Sequence, residues 1–319
     1  MKQTQPTISL PEVDEVRITI IMDNSIDILM ASDDIAHRFP LVSNLFGRPI
    51  PLAEHGTSVL IQVKQGTHRG TVLFDTGMSR QGILYNMDAM EIDAADIQAI
   101  VLSHGHPDHT MGLPGIIDRL GRHHLPLVLH PDACLERKLV LPNGLEVQLP
   151  APKINDFRRE NIEVIEEIGP SMLVDNMILI SGEVARTTDF EKGFPIHYAC
   201  RDNAWVTDPL IMDDQCAIIH VRNKGLVIIT GCGHSGIINT IYHAQTLTRV
   251  NKVYAVMGGF HLTGGLFESI IPATIEALQQ IAPRYVVPCH CTGWSATYQI
   301  ARAMPEAFIP NSVGTTFVL

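Results

Sequence analysis

Short apolar runs that stop abruptly at polar residues alternate along this chain with stretches whose apolar residues recur every three or four positions. Val16 to Met22, rich in Val, Ile and Thr, predicts a strand. Ser58 to Val63 and Thr71 to Phe74 predict a strand pair about the polar turn from Gln65 to Gly70. Asp75-Thr76-Gly77 then leads into a helix-like stretch through Asn86. Ala99 to Leu102 predicts a strand, Leu113 to Leu120 a helix and Pro126 to Leu129 another strand. Further on, Cys216 to Val221 and Gly225 to Thr230 read as a hairpin, and Ile237, Ile241, Ala244 and Leu247 share one helical face. Val253 to Met257 and Tyr285 to Val287 predict strands on either side of a helix, Glu268 to Ile281, with Pro272 in its first turn. Thr315 to Leu319 reads as a closing strand. Such alternation predicts a layered α/β architecture. The stretch from about 135 to 215 breaks the rhythm. It is dense in Pro, Asn, Asp and Glu, with short strand candidates at Met172 to Val174 and Met177 to Ile180, and reads as an insertion or lid on a single domain spanning 1–319.

Composition narrows the function classes. At 319 residues, 45% hydrophobic and 18% charged, the chain has ordinary globular usage and enough length for a large core. Its apolar runs, such as Leu226 to Ile229, are far too short to span a bilayer. The start, Met-Lys-Gln-Thr-Gln-Pro, lacks an apolar leader, so the expected location is the cytoplasm. A formal charge of −11 without a Lys/Arg block argues against a nucleic-acid or anionic-membrane partner and for a small-molecule substrate; it leaves oligomeric state open. Six cysteines are too sparse for a disulfide framework in a chain this long and are read as reduced thiols.

The densest chemistry follows the strand Ala99 to Leu102, where residues 103–113 read Ser-His-Gly-His-Pro-Asp-His-Thr-Met-Gly-Leu. His104, His106, Asp108 and His109 are metal-type ligands, and burying them unpaired would be costly. Residues two apart in an extended segment point the same way, so His104 and His106 can grip one ion, while Asp108 and His109, past a turn, face a second. Imidazole and carboxylate suit zinc, manganese or iron. Two ions a few ångströms apart can share a hydroxide and clamp a scissile ester, which removes the need for a serine or cysteine nucleophile. The same grammar of strand then ligand recurs at Phe74 into Asp75, Ile229 into Gly231-Cys232-Gly233-His234, and Val287 into Cys289-His290-Cys291. Four such stops suggest strand ends that meet in space.

His-x-His-x-Asp-His after a strand resembles the signature of the metallo-β-lactamase fold superfamily, and Leu73-Phe74-Asp75-Thr76-Gly77 and Val287-Pro288-Cys289-His290 resemble its other landmarks. Gly231-Cys232-Gly233-His234-Ser235-Gly236, Gly258-Gly259-Phe260-His261-Leu262, Pro288-Cys289-His290-Cys291-Thr292-Gly293, Asp23-Asn24 and Ser181-Gly182-Glu183-Val184 are similar to blocks of one branch. That branch is the β-lactamase superfamily II metal-dependent hydrolases, which include dihydropterin-ribofuranosylaminobenzene-phosphate synthase-like members. The resemblance runs from about residue 16 to the end.

It implies an αββα sandwich with divalent ions in a cleft at one edge of two facing sheets. By position, His104 and His106 go to a first ion, and Asp108, His109 and His290 to a second; zinc is the expected metal, one ion or two, with manganese or iron as alternatives. Many superfamily members add a histidine in a Pro-Gly-His context before a strand and a bridging aspartate after it. Here the first segment reads Met212-Asp213-Asp214-Gln215, and Cys232 stands at the aspartate position. His234 is the candidate for the missing ligand. Asp75 is expected to orient a ligand histidine or to turn the chain, and Cys232 to lie beside the metals as a small buried residue or as a contact to them. Asp108 and His261 are the candidate catalytic groups, His261 as a donor lining the pocket, with a structural role as its alternative. Cys289 and Cys291 would point away from His290 in an extended segment and are read as packing. His123, His124 and His130 are read as loop or surface residues, and His220 and His243 as packing or surface. The expected activity is attack of a metal-activated hydroxide on a phosphoester, or another ester or amide bond, of a small molecule. Its rivals are a metal-dependent synthase or transferase acting on a phosphorylated pterin-type substrate, and a redox or metal-binding protein of the same fold. Without an export signal or the Pro-Gly-His context, β-lactam hydrolysis is not expected.

Overall fold

The structure is a computed structural model that describes residues 7–121, 125–159 and 162–319; His123 and His124 lie outside the described residues. Among those residues, one sheet has eight strands in the order Glu163–Glu166, Pro126–Leu129, Ala99–Val101, His68–Phe74, Ser58–Gln65, Glu15–Met22, Thr316–Val318, Ala36–His37. The facing sheet runs Ser171–Leu173, Ile178–Ile180, Cys216–Val221, Gly225–Thr230, Val253–Gly259, Tyr285–Cys289, with Glu12–Val13 beside Cys216–Val221. Each sheet mixes hairpins with a parallel block: His68–Phe74, Ala99–Val101 and Pro126–Leu129 in the first, Gly225–Thr230, Val253–Gly259 and Tyr285–Cys289 in the second. Parallel neighbours need crossovers, and helices make them.

Between the sheets lies a core that takes Ile18, Ile61, Val72, Phe74 and Val101 from one layer and Ile180, Ile219, Val227, Ile229 and Met257 from the other. Each outer face is covered by helices. Arg80–Ala89 and Leu113–Leu120 bury Ile83, Met87, Leu113 and Ile116 against the first sheet. Ile237–Thr248 and Ile271–Ile281 bury Ile237, Ile241, Leu247 and Leu278 against the second. The architecture is therefore an αββα sandwich, as the resemblance implied. At about 1.5–3 kcal/mol for each large aliphatic side chain taken from water, these faces account for the helices' docking.

Several elements match their sequence pattern to the residue, among them Leu113–Leu120, Pro126–Leu129 and the Cys216–Thr230 hairpin. The helix expected over Glu268 to Ile281 divides into a 3-10 turn, Glu268–Ile270, and an α-helix from Ile271, because Pro272 suits a first α-helical turn and not its interior. One helix has no counterpart in the periodicity. Trp294–Ala303 buries Ala296 and Ile300 and leaves Trp294 exposed, so its apolar stripe is too thin to read. The stretch from 135 to 215 serves several layers. Glu163–Glu166, Ser171–Leu173 and Ile178–Ile180 extend the two large sheets, whereas Arg137–Val140, Glu146–Leu149, His197–Arg201 and Ala204–Thr207 form a separate four-stranded antiparallel sheet. No described helix is long and apolar enough to cross a membrane.

Candidate metal centre

Both parallel blocks end at the same edge of the sandwich, and the ligand-type residues follow those strand ends. Asp75 follows His68–Phe74, the 103–109 run follows Ala99–Val101, Cys232 and His234 follow Gly225–Thr230, His261 follows Val253–Gly259, and His290 follows Tyr285–Cys289. Asp75, His261 and His290 sit at φ of 60°, 44° and 46°, left-handed conformations that are uncommon for side-chain-bearing residues and concentrate at functional sites.

The structure brings His104, His106, Asp108, His109, His234 and His290 together, with Cys232 at the junction. Ligand atoms of Asp108, His109, Cys232 and His290 all lie within 4.8 Å of one another, and so do those of His104, Cys232 and His234. His106 joins the second set through Nδ1, 3.1 Å from His234 Nε2. Cys232 Sγ is 3.2 Å from His109 Nε2. The five histidines and Cys232 are buried.

Hydrogen bonds on the far side of the His104, His109 and His290 rings fix which nitrogen faces inward. Ser103 Oγ donates to Asp75 Oδ2 at 2.7 Å, so at 2.9 Å it accepts from His104 Nδ1; His104 Nε2 is left buried without a partner. His109 Nδ1 donates to Asp75 Oδ2 at 2.7 Å, which turns Nε2 toward Cys232. His290 Nδ1 lies 3.0 Å from Asn24 Oδ1, and its Nε2 lies 3.0 Å from Asp108 Oδ2. Asp75 thus lies directly behind a ligand-type histidine. Partners of this kind fix tautomer and ring orientation in metal sites.

Burial and neighbouring charge split the ionisations. Burial, reinforced at His104 and His106 by the positive charges of Arg137 and His109, holds His104, His106 and His234 well below the usual histidine range, so their rings are neutral lone-pair donors. His109 goes the other way. Burial would lower it, but the carboxylates of Asp108 and Asp75 outweigh burial and raise it to about 9. Asp108, despite burial, is held below the usual carboxylate range by His109 and His290, and the Asp108 carboxylate in turn helps raise His290. Burial pushes the Cys232 thiol up, while Cys291, hydrogen-bonded to Cys232 and facing His261, is held as the more acidic member of the pair.

Cys291 corrects an expectation. His290–Thr292 forms a 3-10 turn instead of continuing the strand, so Cys291 swings toward the site, and its Sγ shares a cluster within 4.8 Å with Cys232 and His261. A Cβ at Gly259 would lie 2.6 Å from Cys291 Sγ and 3.0 Å from Cys232 Cα, so this approach requires glycine on the intervening strand. Cys289, by contrast, packs between the sheets as expected. His130 lies in the loop after Pro126–Leu129, as expected, but is buried there; it caps the turn Pro131–Cys134 by accepting from Asp132 N. His220 lies 3.7 Å from Glu12 and His243 packs near Ser181 and Ala185, both away from the site.

His261 sits at the wall of a cavity of about 760 Å³, with Phe190, Lys192, His234, Leu262 and Phe267 among its lining, a size that suits a small molecule. The ring centroids of His261 and His234 are 4.1 Å apart, and Phe194 stacks on His234 at 13°. Glu191 takes the Ile238 and Asn239 amides at 2.9 and 2.8 Å, so a carboxylate already occupies that helix N-terminus. Sequence reasoning missed His55, whose Nε2 lies 3.5 Å from Asp108 Oδ2, and His197, whose Nε2 lies 2.9 Å from His106 Nε2. Neither stands in a motif. Asp23-Asn24 did carry a signal: Asp23 Oδ1 accepts from His290 N at 2.8 Å, beside the Asn24 contact to the ring.

An αββα sandwich with an imidazole- and thiol-lined cleft at one edge of its facing sheets defines a layered α/β protein with a candidate divalent-metal centre. The family model described as the metallo-beta-lactamase superfamily matches residues 52–175. The chain is 32% identical over 264 residues, 80% of its length and 87% of the relative's, to 7,8-dihydropterin-6-methyl-4-(beta-D-ribofuranosyl)-aminobenzene-5'-phosphate synthase of Methanocaldococcus jannaschii. It belongs to the metallo-β-lactamase superfamily. Among solved structures, Tm1679, a metal-dependent hydrolase of the β-lactamase superfamily, superposes with a TM-score of 0.71 at 23% identity, over 95% of this chain and 98% of that one. YhfI, a metallo-beta-lactamase fold protein from Bacillus subtilis, gives 0.52 at 13% identity over 96% and 100%. Both likenesses bear on the fold.

Proposed function

We propose that this protein is a metal-dependent hydrolase acting on a phosphoester, or another ester or amide bond, of a small molecule. The observation that carries the reading is the inward set of donors. His104 Nε2 is buried without a partner, and His109 Nε2 faces Cys232 because Asp75 holds its other nitrogen. Burying such groups without a ligand is costly, and the nitrogen and sulfur set suits zinc first, then iron or manganese. His104, His106 and His234 would hold one ion; Asp108, His109 and His290 would hold another; Cys232 lies within reach of both groups. When bound, such ions lower the pKa of water and stabilise negative charge on the scissile group.

The remaining tasks fall to the chain. Asp75 and Ser103 hold two ligand rings in a fixed tautomer. Phe194 and Phe267 wall the cleft against water, their rings 5.2 Å apart. His261, with a buried and unpartnered Nδ1 beside His234, would exchange a proton with the leaving group, and Lys192 at the cavity wall would pair with a substrate phosphate. Hydrolysis of a phosphodiester in ¹⁸O-labelled water tests the reading. One labelled oxygen in the phosphate product is expected; zinc-loaded protein that yields none would overturn it.

A second reading, a metal-dependent synthase or transferase on a phosphorylated pterin-type substrate, is favoured by the synthase name of the relative that matches 80% of the chain. The apolar cavity wall of Phe190, Leu262 and Phe267 would suit a planar ring. Transfer to an added acceptor without ¹⁸O uptake would select it.

A further inference from the structure

We propose that His197 is a positioning residue of the metal centre, setting the tautomer of His106 so that Nδ1 is the nitrogen offered to the first ion. The inference rests on the metal-dependent reading above. His197 is fully buried on the strand His197–Arg201, ninety-one positions from His106. Its Nδ1 lies 3.0 Å from the backbone carbonyl of Asp208. A carbonyl accepts and never donates, so Nδ1 carries the proton. In the neutral ring Nε2 is then a bare lone pair. That lone pair lies 2.9 Å from His106 Nε2, which must supply the proton between them. His106 Nδ1 is left bare, facing His234 Nε2 at 3.1 Å. The relay therefore runs from the Asp208 carbonyl through His197 to the ligand ring.

The rings of His104, His109 and His290 take their outer partners from the two large sheets' own strand ends and loops: Ser103, Asp75 and Asn24. His106 is held instead by the four-stranded sheet. That sheet is fixed to the His104–His106 loop at a second point. His197 pairs with Leu139 in the neighbouring strand, whose Arg137 is buried and ion-paired with Asp213 at 2.5 Å. Asp213 Oδ2 accepts from Gly105 N at 2.8 Å. A Cβ at Gly105 would come within 2.1 Å of Ala133 O, so the loop is pressed against this side. One face of the four-stranded sheet thus sets both the backbone before His106 and its ring, while Phe194, three residues before His197, covers His234. The outer neighbours of His106 and His234, namely His197 and Phe194, thus come from a segment outside the histidine motif, whereas His104 is held by Ser103 within it.

The test uses full-length protein stripped with a chelator, as wild type, His197→Ala and His197→Gln, with His234→Ala to mark the first ion. Zinc is titrated against a chromophoric chelator, and long-range ¹H–¹⁵N spectra of histidine-labelled wild type report ring protonation. His197→Ala should weaken the first ion by roughly ten- to a hundredfold and leave the second unchanged. Glutamine, whose Oε1 accepts from His106 and whose amide donates to Asp208, should restore most of that loss. In the metal-free wild type, His106 should be protonated at Nε2. Wild-type affinities in His197→Ala would overturn the proposal, as would an equal loss in alanine and glutamine variants or a His106 protonated at Nδ1. Wild-type protein that takes up no zinc would overturn the metal reading itself, and this role with it. The spectra need no variant, so a misfolded His197→Ala leaves the proposal falsifiable.

Discussion

Asp75→Asn preserves shape and removes one charge from behind His109. The carboxylate is fully buried; Oδ1 accepts from Ser103 N and Oδ2 from Ser103 Oγ and His109 Nδ1, each at 2.7 Å. An amide has one oxygen for these donors, so at least one of them faces an NH₂ group. Asp108 and Asp75 together raise His109 to about 9 in the metal-free protein. This raised value means that His109 contributes stability below its unfolded pKa of about 6.5, and that the contribution is lost as pH rises through 9. Metal binding must displace the same proton. His290, also raised and also facing the second ion, must give up a proton as well, so at pH 7 that ion is held at least about a hundredfold below its high-pH affinity and gains at least about tenfold per pH unit until His109 has lost its proton near 9. In Asp75→Asn the levelling should come at lower pH, because one of the two carboxylates is gone. The plateau itself should fall by about ten- to a hundredfold, the usual effect of losing a carboxylate behind a ligand histidine. Competition titrations with zinc from pH 6.5 to 9.5 read both quantities. A variant with the wild-type plateau and the wild-type inflection would refute the reasoning.

Other outcomes follow from the same geometry. His106→Ala or Asp108→Ala should lower metal content on elemental analysis and abolish hydrolysis; full activity in both would sink the site. His234→Ala should lower one ion selectively, and an unchanged metal count would place the ligand elsewhere. Cys232→Ser should erase the near-ultraviolet sulfur-to-cobalt band of cobalt-loaded protein, and persistence of that band would assign it to Cys291, the other thiol in the cluster. Arg137→Met leaves the fully buried Asp213 without its counter-charge and should cost about 3–5 kcal/mol in urea denaturation.

What the sequence revealed was local. The run from His104 to His109 is legible because four ligand types crowd one strand end, and the sheet strands because their apolar stretches are bounded by turns. Leu113–Leu120 declares itself through an apolar stripe that the structure buries whole. What it hid depends on contacts distant in the chain. His197 stands in no motif, and its meaning comes from an antiparallel pairing with Arg137–Val140 and from the Asp208 carbonyl. His55 is an exposed residue made relevant by its distance to Asp108. Cys291 was misread because alternation along a strand was extended one turn too far; the backbone leaves the strand at His290, where φ is 46°. The missing third histidine is a case between the two. His234 could be nominated from its neighbours, but its reach to His106 is a fact of the second sheet's position over the first.

The ligand-type residues are divided between the two layers: His104, His106, Asp108 and His109 hang from one sheet, Cys232, His234 and His290 from the other. Ions seated among them would act as a clasp on the open edge of the sandwich, joining segments separated by well over a hundred residues of chain. Chelation should then be felt mechanically before it is felt globally. Amide exchange at Ser103 and Cys232 should quicken while the interior strands stay protected, and the edge where substrate enters becomes the seam along which the layers first part.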